Sequence, residues 1–150
     1  FQVVFVGDVS ANDKAYNTKL QEMVTAYQLE DCVLFAGPRR DIPDLYHAAD
    51  IALHASTTPE PFGLVVPEAM SVGTPVIATS IGGPREVVTS SSGRVFDPKD
   101  PTQLADHLST LTQDSSLRIQ LSEGAQQRVE EFSLTRHVEQ MELMYEEVLG

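Results

Sequence analysis

The chain has one cysteine, Cys32, so no disulfide can form within it and no thiolate metal centre can be assembled. That usage fits a reducing, cytoplasmic compartment. Basic residues are scarce: 10 Lys and Arg stand against 22 Asp and Glu, a formal net charge of −12 with neutral histidines. A nucleic-acid binder needs a basic footprint on its partner's phosphates, so nucleic acid is not expected as a partner. The same balance argues against docking on anionic lipid by charge alone. No apolar run approaches the ~20 residues of a membrane span; the longest, such as Val3-Val4-Phe5-Val6, are strand-sized, and no membrane association is indicated. There is no run of five or more acidic residues, so an acidic tail does not account for the charge. Internal repeats, low-complexity stretches and Pro/Gly linkers are also absent, and residues 1–150 read as a single domain. What is present is ordinary for a soluble globular domain: 41% hydrophobic and 21% charged residues. A chain of this length can bury roughly 70% of its unfolded surface in one core without staples.

Short apolar runs alternate with helical patterns. The strand candidates are Phe1–Val6, Cys32–Ala36, Ile51–Ala55, Pro75–Ala78 and Gly93–Phe96. Leu20, Met23, Val24 and Tyr27 recur at helical spacing after the first. Ile42, Leu45 and Tyr46 suggest a short helix, and Gly63–Val72 reads as another. The last third is helical. Asp100 is a plausible N-cap with Pro101 at the first helical position, and Leu104, Leu108 and Leu111 follow as one stripe. A second helix runs from about Ser116 with Leu117, Leu121, Ala125 and Val129. Ser133 caps a third, whose buried side carries Leu134, Val138, Met141, Met144, Tyr145 and Val148. Tyr16, Tyr27 and Tyr46 read as helix packing rather than as a binding stripe, and Cys32 as a small core residue. This alternation predicts βαβ units: an α/β fold, with a parallel sheet of about five strands and helices on both faces. Ligands of such sheets bind beyond the carboxyl ends of the strands. The segments to inspect are therefore Gly7-Asp8, Gly37 to Arg40, Ser56 to Gly63 and Thr79 to Glu86.

The most informative stretch runs from Ser56 to Met70. Pro67 lacks an N–H and is comfortable only in the first turn of a helix, which places the helix start near Gly63–Val66. The unpaired amides of Gly63, Leu64 and Val65 then point out from the carboxyl edge of the sheet, where a phosphate can bind. Two carboxylates flank them, Glu60 before the helix and Glu68 within its first turns. Carboxylates accept hydrogen bonds from paired hydroxyls, so the pattern suits a nucleotide-sugar. Glu68 reads equally as a complement to the helix dipole, and Glu60 as a solvated loop residue. His47, His54, His107 and His137 are not spaced as metal ligands; only His54 falls at a strand's carboxyl end, where an ordinary strand-end histidine is the plainer reading.

Glu60 and Glu68, in the frame Glu-Pro-Phe-Gly-Leu-Val-Val-Pro-Glu-Ala-Met, resemble the E-x7-E motif of GT4-type retaining glycosyltransferases (glycosyl transferases group 1). Nearly the whole chain shares the resemblance. Val3–Asp8 is similar to the family's strand ending in Val-Gly-Asp, Val33–Gly37 to its next strand, and Ala49-Asp50-Ile51 to the entry to the one after. Gly73–Thr79 and Gly82–Val88 match its strand and glycine-rich loop, and Phe132-Ser133 the opening of its last helix. The resemblance implies the carboxyl-terminal, donor-binding half of a GT-B fold, a doubly wound Rossmann-like sheet without its first strand. Glu60 would contact donor-sugar hydroxyls near the reacting carbon, and Glu68 the ribose hydroxyls. The amides of Phe62, Gly63, Leu64 and Val65 would lie against sugar and diphosphate, and Gly37, Pro38 and Arg39 against the base, with Arg39 either stacked on it or simply at the surface. Gly82 and Gly83 would be structural. Here proline directly follows the glycine pair, one place earlier than in the commoner family pattern. The family's upstream Gly-Arg strand and lysine, which neutralise the diphosphate, do not occur, nor does its acceptor-binding amino-terminal domain. The expectation is a fragment, inactive alone, of an enzyme that transfers a sugar with retention from a nucleotide-diphosphate donor to a hydroxyl. No Asp-x-Asp occurs, so metal-independent transfer without a cofactor is expected. The alternatives are a nucleotide- or sugar-binding module, or a structural domain on the same scaffold. If the sheet closes over the missing strand, its order is 2-1-3-4-5.

Overall fold

The computed structural model describes residues 1–10 and 13–150. In chain order the elements are β1 (Val3–Val6), α1 (Lys14–Ala26), β2 (Val33–Gly37), α2 (Ile42–Ala48), β3 (Ala52–His54), α3 (Val65–Ser71), β4 (Val76–Thr79), α4 (Pro84–Val87), β5 (Gly93–Phe96), α5 (Pro101–Gln113), α6 (Ser115–Val129), a 3-10 turn Glu130–Phe132, and α7 (Leu134–Leu149). The fold is α/β and every strand pair is parallel, as the alternation predicted. The expected single order 2-1-3-4-5 is not formed. The strands make two sheets, β1-β2 and β3-β4-β5. A ladder needs strands about 4.8 Å apart, and among the described residues no ladder joins β1 to β3. The chain forms two compact units, Phe1–Ile42 and Pro43–Gly150.

In the first unit, β1 pairs with β2 from Val3↔Val33 to Val6↔Gly37, with an irregularity between Phe5 and Val6. Phe5 stacks on Phe35 with ring centroids 5.0 Å apart. Helix α1 buries none of its residues, and Tyr16 and Tyr27 are 62% and 69% exposed. The expected helix packing of these two tyrosines is therefore not made, and Cys32 is half-buried rather than a core residue. The end of α1 is a Schellman motif: the Leu29 amide donates to the Val24 carbonyl and the Gln28 amide to that of Thr25. Gln28 occupies its left-handed position at φ +55°. A side chain there costs roughly 1 kcal/mol, and glycine is the natural occupant. Gln28→Gly should raise Tm by about 1–2 °C, the greater freedom of glycine in the unfolded chain offsetting part of the gain. A lower Tm in a calorimetric scan would contradict this account.

The second unit is built around β4, whose four residues are all buried. Val76 and Ala78 face one cluster with Val66, Ala69 and Met70 of α3, Val87 of α4 and Ala125 of α6. Ile77 faces the other, with Phe96, Leu111 and Leu121. Residues alternate between faces along a strand, so helices cover both sides of this sheet. Asp100, Asp114 and Ser133 cap α5, α6 and α7 through their side chains. The stripes of α5 and α6 pack as the sequence indicates, and Tyr46 packs on the first cluster. Helix α7 departs from expectation. It buries no residue; Leu134, Val138, Met144, Tyr145 and Val148 are exposed, and Met141 is only half-buried. Its apolar period is genuine, but no described segment lies over that face. Among the described residues, no helix is long and apolar enough to cross a membrane.

Candidate functional site

Strand β3 ends at His54 and the chain enters α3 at Val65. Leu64 already has helical torsions (φ −50°, ψ −31°), and no side chain caps the start of the helix. Pro67 lies in the first turn, as its missing N–H requires. Among the described residues, no hydrogen bond takes the amides of Phe62, Gly63, Leu64 or Val65.

The loop before them is held by the β4–α4 turn. The Gly83 amide donates to the Glu60 carbonyl at 2.9 Å. Gly82 runs so close to Glu60 that a Cβ on it would fall 2.4 Å from that same carbonyl oxygen; on Gly83 it would fall 2.5 Å from the Phe62 Cα. Gly63 has φ +76°, and a Cβ on it would lie 2.8 Å from Pro84 Cγ and 3.5 Å from Glu60 Oε2. The structural role read for Gly82 and Gly83 thus acquires a cause: two backbones touch where no side chain fits. Proline directly after the pair serves the same contact, with Pro84 seated at the first turn of α4.

The Glu60 carboxylate is 40% exposed and meets His54, whose Nε2 lies 3.1 Å from Oε1. Glu68, in the first turn of α3, is exposed. It is close enough to Tyr46 for its carboxylate to add to the effect of burial, which together push the Tyr46 phenol above its usual range. A position in the first turn is compatible both with a hydroxyl-binding role and with a complement to the helix dipole.

A strut from the carboxyl-terminal helices reaches the same loop. Arg128 of α6 donates to the carbonyls of Glu86 at 2.8 Å and Val87 at 3.1 Å, satisfying the end of α4. It also pairs with Glu131 and lies 4.9 Å from the Phe132 ring centroid. Phe132 meets Phe62 edge to face, with centroids 5.6 Å apart. Neither Arg128 nor the partnership of His54 with Glu60 was legible in the sequence. Arg128 lies 42 residues from Glu86, and only Phe132-Ser133 hinted that this segment mattered.

In the other unit, Gly37 ends β2 at φ +66° and Pro38 is exposed. Arg39 forks onto Asp41, Nε to Oδ1 at 2.8 Å and Nη2 to Oδ2 at 2.5 Å. The hydrogen bond raises the Arg39 guanidinium and holds the Asp41 carboxyl below its usual range. Thus Glu60, Phe62 and Gly63 share one backbone cradle with His54 and the 82–84 turn, while Gly37, Pro38 and Arg39 form a separate loop. No three His, Cys, Asp or Glu residues converge as a metal site among the described residues.

The chain is similar to known proteins along nearly its whole length. The family model for glycosyl transferases group 1 matches residues 1–128. The chain is 37% identical to the D-inositol 3-phosphate glycosyltransferase of Salinispora tropica, over 99% of its own length and 31% of that protein. It is 35% identical to the N-acetyl-alpha-D-glucosaminyl L-malate synthase of Bacillus anthracis, over 85% of its length and 34% of the relative. It thus spans about a third of the curated relatives it matches. Among solved structures, Anabaena Alr3699/HepE in complex with UDP superposes with a TM-score of 0.91 at 32% identity, covering 97% of this chain and 41% of that one. The C-terminal domain of a group 1 glycosyl transferase (LpcC) from Francisella tularensis superposes with a TM-score of 0.79 at 32% identity, covering 85% of this chain and 67% of that one.

Proposed function

Since the chain belongs to the glycosyl transferases group 1, we propose that it is the donor-binding part of a longer enzyme that moves a sugar from a nucleotide-diphosphate donor to an acceptor hydroxyl with retention of configuration. The observation that carries this reading is the cradle after β3. Free amides at residues 62–65 lie between the carboxylates of Glu60 and Glu68, and backbone contact with Gly82 and Gly83 locks the loop. Each part has a task. Amides at an uncapped helix start stabilise the charge that grows on a departing diphosphate, because fixed dipoles need no reorganisation. Glu68, exposed one turn further on, accepts from the ribose hydroxyls. Glu60, whose Oε2 lies beside Gly63, accepts from sugar hydroxyls and stabilises the positive charge that develops on the sugar ring. It acts by position and charge, not as a nucleophile.

By resemblance, Gly37, Pro38 and Arg39 lie against the base, with Asp41 setting the plane of the Arg39 guanidinium. The sequence carries no Asp-x-Asp to bridge a metal to the diphosphate, so transfer without a metal is the reading adopted. The remaining diphosphate cations and the acceptor site belong to other parts of the enzyme, and this chain alone is expected to bind a donor without transferring it. UDP, bound in the Anabaena relative, is the first nucleotide to try.

The test is calorimetric titration of the 150-residue chain with UDP, GDP and ADP. One nucleotide should bind saturably. Glu68→Ala should weaken it about tenfold, the loss of charge-assisted hydrogen bonds. Glu60→Ala should leave nucleotide affinity within about twofold while lowering turnover of the complete enzyme by about a hundredfold or more. A cooperatively folded chain that binds none of the three would overturn the proposal. Equal loss of affinity and turnover in Glu60→Ala would reject the division of labour between the two carboxylates.

A further inference from the structure

His54 is a charge-capable side chain at the end of a strand, only 8% exposed, and among the described residues the other buried polar side chains, Thr74, Thr79 and Ser92, are uncharged. Burying an imidazole this far costs free energy unless its nitrogens find partners. One of them does: Nε2 lies 3.1 Å from Glu60 Oε1. The other does not: Nδ1 is buried and has no hydrogen-bond partner among the described residues. The asymmetry fixes the direction of the bond. An ionised carboxylate only accepts, so Nε2 carries the proton and donates. In the neutral ring Nδ1 then holds the lone pair, and the chain leaves one acceptor unused to make one donor available to Glu60.

The geometry around Glu60 shows what that donor does. His54 takes Oε1. Oε2 lies on the other side, 3.5 Å from where a Cβ would stand on Gly63, and receives no hydrogen bond among the described residues. The Glu60 main chain is fixed separately by Gly82 and Gly83. Its side chain, four-tenths exposed, could otherwise swing through several rotamers. A single buried donor from the rigid end of β3 removes that freedom and leaves Oε2 as the oxygen without a protein donor among the described residues.

We infer that His54 is the positioning residue of Glu60: it holds one carboxylate oxygen so that the other is presented to the hydroxyls of the donor sugar. This rests on the function proposed above, since it needs Glu60 to contact that sugar. His54 itself touches no substrate, as both of its ring nitrogens face protein.

Two measurements test it. In the nitrogen-15 spectrum of the chain, His54 should show the neutral form protonated at Nε2, with a slowly exchanging imidazole proton. Glu60→Ala should abolish that slow exchange. A proton found on Nδ1 instead would overturn the inference. The second measurement is titration with UDP and with UDP-glucose, the latter as the sugar-bearing probe, for wild type, His54→Leu, His54→Gln, Glu60→Ala and the double variant His54→Leu/Glu60→Ala. His54→Leu should leave UDP affinity within about twofold, yet weaken UDP-glucose about tenfold. His54→Gln, which keeps a donor at similar reach, should recover most of that loss. In the Glu60→Ala background, His54→Leu should have no further effect on UDP-glucose.

A purely structural histidine would give losses that add in the double variant, fall equally on UDP and UDP-glucose, and persist in His54→Gln. Any of these results removes the positioning role while leaving nucleotide binding intact. A wild type that binds neither probe removes the functional reading, and the positioning role with it, a result distinguishable from loss of coupling.

Discussion

Gly82→Ala is expected to lower donor turnover of the complete enzyme by about a hundredfold, with a much smaller effect on folding. The added Cβ would lie 2.4 Å from the Glu60 carbonyl oxygen and 2.8 Å from the Glu60 amide nitrogen. Both are backbone atoms, so no rotamer change relieves the clash. Gly82 also has φ +71°, where a side chain costs a further kcal/mol or so. The loop on which Glu60 rides is exposed at Pro59, Pro61 and Phe62, so it is the partner that yields. A shift of about 1 Å at a reacting group is worth about 10²-fold in rate. The displacement would also pull the Glu60 carbonyl from the Gly83 amide and Glu60 Oε1 from His54. Steady-state kinetics beside a thermal scan decide the matter: near-normal turnover would mean that the turn does not set the position of Glu60.

Gly124→Ala is expected to act in the opposite sense, on stability rather than on the site. Gly124 lies inside α6, where alanine would ordinarily stabilise the helix by about 1 kcal/mol. Here its Cβ would stand 2.0 Å from the Ser91 carbonyl oxygen and 2.8 Å from the Ser91 carbonyl carbon. The Ser91 turn is not free to retreat. Its neighbour Ser92 is fully buried and accepts the Thr89 amide at 2.9 Å, while the Ser92 amide donates back to the Thr89 carbonyl at 3.0 Å. Overfilling a contact costs about 1–3 kcal/mol and occasionally more; a Cβ 2.0 Å from a backbone oxygen belongs at the upper end, which outweighs the propensity gain. A net loss of about 2–3 kcal/mol should lower Tm by roughly 5–10 °C. Denaturant or thermal unfolding of the chain measures it, and an unchanged or raised Tm would show that the turn yields at little cost.

These two glycines show how differently parts of the molecule could be read in advance. Gly82 stands in a Gly-Gly-Pro run, and its structural role is what the family resemblance implies. The atom it makes room for, the Glu60 carbonyl, is 22 residues away and invisible in any local pattern. Gly124 offered no sign at all. A glycine in a helix reads as a weak point until the neighbouring backbone is in place. The same limit applies to α7. Its apolar residues recur at helical spacing and the helix forms as expected, but periodicity says only which residues share a face. Whether anything lies against that face is a fact about the rest of the molecule.

By itself the sequence determined the α/β alternation, because apolar runs of strand length and stripes of helical period are local properties. It determined the caps at Asp100 and Ser133, and Pro67 at the beginning of α3, because a missing N–H and a short polar side chain act within one turn. Through the spacing of Glu60 and Glu68 and the residues around them, it determined the family. The tertiary structure decided the rest. The strands divide into two ladders, since pairing joins segments far apart along the chain. Glu60 acquired a buried partner in His54, an anchor in Gly83, and a strut through Phe62, Phe132 and Arg128. Each of these contacts joins different elements through atoms whose reach is only a few ångströms, and only the folded chain brings them that close.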